Sequence, residues 1–189
     1  MRARALAALS SLTLLLPGCG GGGDDQPQQP QEPRVTLQAT LTRTDTLLSW
    51  NWTLRNDDTE PIVILDGPIT GGNQPQVWVT PGDDGTVEAA YRFLAPPEGV
   101  AVAQPILQAG HTVAAGASAT GTAQVRLPLT VRHPYAGSFD PPLALPAGTP
   151  DITFCVGAVR AKDVAPQPGG PYAHLESAAK QQRVTCAAS

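Results

Sequence analysis

Alternation of apolar and polar residues from about Thr46 to Arg55 constrains the fold more than any other feature of this chain. One face of the segment carries Leu48, Trp50, Trp52 and Leu54, and the other carries Ser49, Asn51, Thr53 and Arg55. A period of two predicts a half-buried β-strand. Exposing four large apolar side chains would forgo ~1.5–3 kcal/mol each, so the sequence predicts that Trp50 and Trp52 belong to the core. An aromatic platform for a sugar or a peptide is the alternative interpretation.

Short segments of similar character occur along the rest of the chain. Predicted strands lie at 34–42, 62–65, 76–80, 86–94, 119–129, 151–160 and 182–187, with one or two more within 95–117. Twenty prolines and nineteen glycines supply frequent turns, and only 175–182 resembles a helix. Since no helix is long enough to cross over a parallel sheet, we expect an all-β fold. The favoured architecture is an antiparallel, immunoglobulin-like β-sandwich, and a small β-barrel is the alternative.

The N-terminus has the order of a secretory signal. Arg2 and Arg4 precede an apolar run over 5–16, and Leu16-Pro17-Gly18-Cys19 follows at its end. The run is shorter than the ~20 residues that cross a bilayer. Leu16, Gly18 and Cys19 resemble the lipobox of bacterial lipoproteins. That resemblance implies removal of residues 1–18 and lipidation of Cys19, whereas an ordinary cleaved signal with an incidental cysteine is the alternative.

Residues 19–33 are predicted to be a lipidated cysteine and a flexible tether. The segment 20–33 reads GGGGDDQPQQPQEP and has no hydrophobic residue that could offset the entropy of ordering. Fully extended, it would reach about 45 Å. In enteric lipoproteins an aspartate after the lipidated cysteine marks the inner membrane. By that resemblance, Gly20 in this place implies the outer membrane, with the protein facing the periplasm. Residues 34–189 are predicted to form a single domain.

Charge argues against nucleic-acid binding. The formal net charge of −4 becomes −6 when Arg2 and Arg4 are removed with the signal, and no basic cluster survives. Phosphate neutralisation requires such a cluster. The sequence therefore predicts no nucleic-acid partner. The predicted partners are membrane lipid, through acylated Cys19, and an unidentified envelope protein.

Three cysteines divide simply if Cys19 takes the lipid. Cys155 and Cys186 then form an even pair in an oxidising compartment, which predicts a disulfide. The strands 151–160 and 182–187 could pair as neighbours with 161–181 looping out between them. A zinc site would need more ligands at short spacing, and His111, His133 and His174 are far apart in sequence. We therefore predict no metal and no cofactor.

Trp78 has two interpretations. Its face-mates are Gln76 and Thr80, while Val77 and Val79 point the other way. An exposed tryptophan is a favoured anchor at protein interfaces, so Trp78 is the candidate partner surface. Alternatively, Trp78 fills the end of the sandwich.

Catalytic motifs are missing from the sequence: neither Gly-x-Ser-x-Gly nor His-Glu-x-x-His is present. His133, Ser138 and Asp140 share one proline-rich loop, but nothing there orients the histidine as in a catalytic triad. The sequence therefore favours a non-catalytic interaction module of the envelope, with no catalytic residue. The alternative is a small-molecule-binding protein or an enzyme whose site is built from loops 132–150 and 161–180.

One local segment carries a family resemblance. The strand-turn-strand from Leu48 to Leu65, with an asparagine at the bend, resembles bacterial immunoglobulin-like domains, including the intracellular proteinase-inhibitor type. This resemblance implies inhibition of a protease as a more specific form of the interaction function.

Overall fold

The structure is a computed structural model that describes residues 32–148 and 150–187. The predicted signal peptide, Cys19 and residues 20–31 of the tether lie outside the described residues. The described residues form eleven strands: β1 Val35–Arg43, β2 Leu47–Asn56, β3 Ile62–Ile64, β4 Trp78–Pro81, β5 Val87–Tyr91, β6 Leu107–Gln108, β7 His111–Val113, β8 Ser118–Arg126, β9 Ile152–Arg160, β10 Tyr172–Ala173 and β11 Arg183–Cys186. They also form one α-helix, α1, at Glu176–Gln181. No helix in the described part of the chain is long and apolar enough to cross a membrane.

Two sheets make up most of the molecule. The first is antiparallel, with the order β1-β2-β8. The second has the order β4-β5-β9-β3-β7, with β11 also paired to β9, and β6 pairs with β10 separately. None of these sheets closes into a barrel. The all-β prediction is confirmed, and the barrel alternative does not describe the sheets seen here.

One strand pair corrects the prediction of a wholly antiparallel fold. β5 and β9 run parallel, from Val87 opposite Ile152 to Tyr91 opposite Val156. The prediction assumed that a parallel pair needs a crossover helix, which is the usual connection. Here residues 92–151 make the crossover with β6, β7 and β8 and with irregular chain. A strand pattern alone does not reveal such a connection.

The main core lies between the two large sheets. Leu48, Trp50, Trp52 and Leu54 of β2 are all buried, as the alternation predicts, and each tryptophan is 3% exposed. Trp50 stacks on Phe154 of β9 with ring centroids 5.5 Å apart, and Trp52 meets Tyr91 of β5 edge-on at 6.0 Å. The core prediction for both tryptophans is confirmed.

The second sheet is covered on its other face as well. A smaller core joins Val63, Leu65, Phe93, Val159, Tyr172 and Ala178. Ala178 comes from α1, so this short helix and the chain around β10 form a covering layer. Burial on both faces explains why Ile62–Ile64 reads as a continuous apolar run rather than as an alternation.

The predicted disulfide is present. Cys155 of β9 and Cys186 of β11 lie directly opposite each other in an antiparallel ladder, with 4.0 Å between their Cα atoms. The bond joins the last strand to the central strand of the second sheet. Residues 161–181 loop out between the two strands, as expected, and α1 lies within that loop.

Candidate functional site

Trp78 is buried and is not an exposed anchor. Its side chain is 5% exposed, and its indole N–H donates to Oε1 of Gln108 at 2.9 Å. The expectation of a partner surface at Trp78 is therefore corrected. Val77 and Val79 are also buried, because the second sheet is covered on both faces. The period-two argument fails here, since it assumes one wet face.

Gln108 organises a buried polar network around Trp78. Its side chain is fully buried, and its amide nitrogen donates to the carbonyl oxygen of Leu65 at 2.8 Å. Nδ1 of His174 accepts from the N–H of Leu94 at 3.0 Å, so Nε2 carries the proton and donates to Oε1 of Gln108 at 2.9 Å. Each ring nitrogen of His174 therefore has a partner. This network fixes the fold, and nothing in the sequence distinguished Gln108 from an exposed glutamine.

His133 and His174 are both neutral at physiological pH. Burial, followed by the electrostatic effect of His133, lowers the pKa of His174 to about 3. Burial, followed by the charge of Arg92, lowers the pKa of His133 to about 4. The desolvated imidazolium is the disfavoured form in each case.

Acid should therefore destabilise the protein below about pH 6.5. Each histidine binds a proton in the unfolded chain before it does so in the folded one, so its contribution is complete above pH ~6.5 and is lost as pH falls towards its folded pKa. We expect the free energy of unfolding to fall by up to ~1.4 kcal/mol per pH unit for each histidine between about pH 6 and pH 4.5. Urea titrations at several pH values measure this slope. His133→Gln should reduce it by about half, and an unchanged slope would contradict the argument.

The two loops expected to build a catalytic site contact each other, since the hydroxyl of Tyr135 donates to the carbonyl oxygen of His174 at 2.6 Å, but the polar residues named for that site do not line one pocket. His133 lines a pocket of about 360 Å³ with Glu88 and Arg92, whose side chains form an ion pair at 2.6 Å. Asp140 and the loop 161–180 are not among the lining residues, and His174 is 1% exposed within the core. No hydrogen bond joins His133 to Ser138 or Asp140 among the described side chains. The structure therefore does not bring together the residues named for that site.

One group of potential metal ligands occurs in the described part of the chain. It consists of Glu88, Cys155 and Cys186, whose ligand atoms lie within 4.8 Å of one another. Both sulfurs are committed to the disulfide, so neither is a thiolate. A single carboxylate beside a disulfide does not form a zinc site.

A groove of about 810 Å³ lies where β2 and β8 meet the loop between β3 and β4. Its charged lining residues are Arg126 and Arg132, and no carboxylate lines it. Amide side chains surround the arginines, namely Asn73, Gln74, Gln76 and Gln124. Half-buried Leu47, Ile69 and Leu127 supply apolar surface. The groove is therefore suited to an anionic ligand with hydrogen-bonding groups.

Two residues that line this groove, Gln124 and Arg126, lie on β8, whose other side is an edge of the first sheet. The N–H of Leu127 donates to the carbonyl oxygen of Thr46 at 2.9 Å, so the backbone N–H of Leu127 faces β2. By the alternation of an antiparallel ladder, the backbone groups of Val125 also face β2, while those of Gln124 and Arg126 face outward. No other described strand pairs with β8 on that side. The sequence predicted the strand but not its edge position, which depends on distant residues.

Comparison of the chain with protein-family models, with curated proteins and with solved structures found no match.

Proposed function

We propose that this chain is a lipid-anchored binding module of the bacterial cell envelope, tethered through Cys19 and built on an immunoglobulin-like β-sandwich. It presents the groove of Arg126 and Arg132 to a partner protein and does no chemistry on that partner. The carrying observation is the position of the groove, at the end of the first sheet opposite the entry of the chain into β1.

The register of the first sheet fixes this arrangement. The chain enters β1 at Val35, opposite Asn56, whereas the groove includes Leu47 and Arg126, which face each other at the far end. Nine strand residues separate these ends by about 27 Å, at ~3.3 Å per residue. A tether that joins the domain next to Val35 would thus attach at the end of the first sheet farther from the groove and leave the groove free. A site on the far end is accessible to a periplasmic partner.

Two further observations support the sandwich and its resemblance to bacterial immunoglobulin-like domains. The first is the pair of large sheets that share one core. The second is the bend after β2, where buried Asn56 donates from its side-chain nitrogen to the carbonyls of Glu60 at 2.9 Å and Val113 at 3.1 Å. The asparagine at the bend therefore ties the β2–β3 connection to β7. Protease inhibition is the more specific form of this proposal.

A small-molecule site is the second candidate, favoured by the pocket that contains Glu88, Arg92 and His133. Nδ1 of His133 accepts from the N–H of Tyr135 at 3.1 Å, so neutral His133 carries its proton on Nε2. That tautomer is a hydrogen-bond donor to a ligand rather than a base. The pocket is therefore better suited to binding than to proton abstraction.

The anchor predicts a complete effect for Cys19→Ala. We expect cells grown with a labelled fatty acid to incorporate label into the wild-type protein and not into the variant, because the thiol is the acyl acceptor. Gel autoradiography and membrane fractionation measure both consequences. Equal label in the two proteins would overturn the lipoprotein proposal.

In the same cells, the intact lipoprotein carrying Gln124→p-benzoylphenylalanine should cross-link an envelope protein on irradiation. Thr53→p-benzoylphenylalanine is the matched control, since Thr53 is exposed on β2 but lies outside the groove. Adducts of equal yield at both positions would count against a partner at the groove.

A further inference from the structure

We propose that the partner is bound as an extended acidic peptide segment, which adds a strand to the free edge of β8 and places its carboxylates against Arg126 and Arg132. This inference rests on the proposed binding function and names the chemistry of its ligand. It rests on three features that occur close together: an unpaired strand edge, two arginines without an ion pair among the described residues, and half-buried apolar side chains.

The backbone edge provides the first step. β8 is a nine-residue strand at the margin of the first sheet. Towards its centre the outward carbonyl of Thr122 is approached by the hydroxyl of Tyr91 at 3.5 Å, so that part is covered by the second sheet. The outward groups of Gln124 and Arg126 have no backbone partner among the described residues. Unpaired strand edges are templates for an added strand, which gains affinity from main-chain hydrogen bonds.

The positive charge of the groove indicates an acidic ligand. Neither Arg126 nor Arg132 makes an ion pair within the described residues, although the chain as a whole is acidic. Arg55, on β2 of the same sheet, differs from these two arginines because it forms an ion pair with Asp57 at 2.9 Å. Two unpaired guanidinium groups beside a free edge favour a strand that carries carboxylates.

Side-chain pockets would set the register of such a strand. Alternate residues of an added strand face opposite sides. One set would lie on the sheet face that carries Gln124 and Arg126, and the other on the face that carries half-buried Leu127. The groove therefore suits a segment in which acidic and β-branched residues alternate. An anionic glycan could use the arginines but would not need the backbone edge.

The test uses the full-length lipoprotein in detergent and displayed random peptides of about ten residues, the length of a long strand. We expect the recovered peptides to be enriched in Asp and Glu. A recovered peptide should bind the double variant Arg126→Gln/Arg132→Gln at least ~10-fold more weakly, since each lost charge pair weakens binding. Arg55→Gln is the matched control on the same sheet and should bind normally. Arg126→Gln alone, at an exposed position, gives an intermediate loss should the double variant fold poorly.

Amide hydrogen exchange then tests strand addition itself. The bound peptide should slow exchange at Gln124 and Arg126 by ~10-fold or more, while Val125, already bonded to β2, should change little. Recovered peptides without acidic enrichment, or equal binding to the double variant, would overturn the inference. So would unchanged exchange at Gln124 and Arg126, or binding of a polyuronate oligosaccharide in place of peptides. Cross-linking from Gln124 without any acidic peptide preference would leave the binding function standing and remove only this inference.

Discussion

Replacing Trp52 with alanine is expected to destabilise the protein by ~3–5 kcal/mol, the range for deleting a large buried aromatic side chain. Trp52 is 3% exposed and packs between its own sheet and Tyr91 of the opposite one. Its ring also lies directly over Gly121 of β8, where a Cβ atom would sit 2.7 Å from the ring. The surrounding strands are therefore shaped to the indole and cannot collapse easily into the space it leaves. Urea unfolding followed by fluorescence or circular dichroism measures the loss.

Two companion variants sharpen this result. Thr53→Ala, at the exposed neighbouring position, should change the free energy of unfolding by less than ~0.5 kcal/mol. Gly121→Ala should be destabilising although it adds only a methyl group, because the ring of Trp52 occupies that space. A loss below ~1 kcal/mol for Trp52→Ala would place the ring on the surface and revive the aromatic-platform interpretation.

Removing the disulfide is expected to cost ~3–4 kcal/mol in the chain-entropy model. The bond spans a sequence separation of 31 and fixes β11, a four-residue strand of exposed and half-buried residues, to β9. Without it, β11 would depend on a short ladder and few side-chain contacts and would fray at the chain end. Thermal unfolding of the variant Cys155→Ala/Cys186→Ala measures the effect.

Chemical reduction provides the control for that variant. Dithiothreitol should lower the stability of the wild type by a similar amount and leave the double variant unchanged. Two free thiols in oxidised wild-type protein, found by mass spectrometry, would contradict the presence of the bond in the cell.

The sequence predicted those features of the fold that a short residue pattern or the number of cysteines determines. The alternation around Trp50 and Trp52 identified β2 and its buried face, and the two strand-like segments around Cys155 and Cys186 identified the disulfide. These features depend on neighbouring residues or on an even cysteine count. The parallel pairing of β5 with β9 depends on a connection that carries no recognisable signal.

The sequence alone could not predict the candidate site, because its residues come from distant parts of the chain. Arg126 and Arg132 follow one strand, and Asn73 to Gln76 precede another, so only the folded chain brings them to one groove. Of the two interpretations of Trp78, the structure supports the buried one, because Gln108 and His174 cover the face that a two-layer fold would leave wet. An unexpected covering layer reverses the meaning of a polar-apolar alternation.

The central position of β9 has a consequence for the order in which the chain folds. β3, β5 and β11 all pair with β9, which begins only at Ile152. A chain that crosses a membrane from its N-terminus would deliver β3 and β5 long before the strand that completes their ladders. β5 can pair with β4 and β3 with β7 before that, but their contacts with β9 have a high sequence separation and form slowly. The ladders that β3, β5 and β11 form with β9 can therefore be completed only after most of the chain has been made, so the second sheet is finished late in folding.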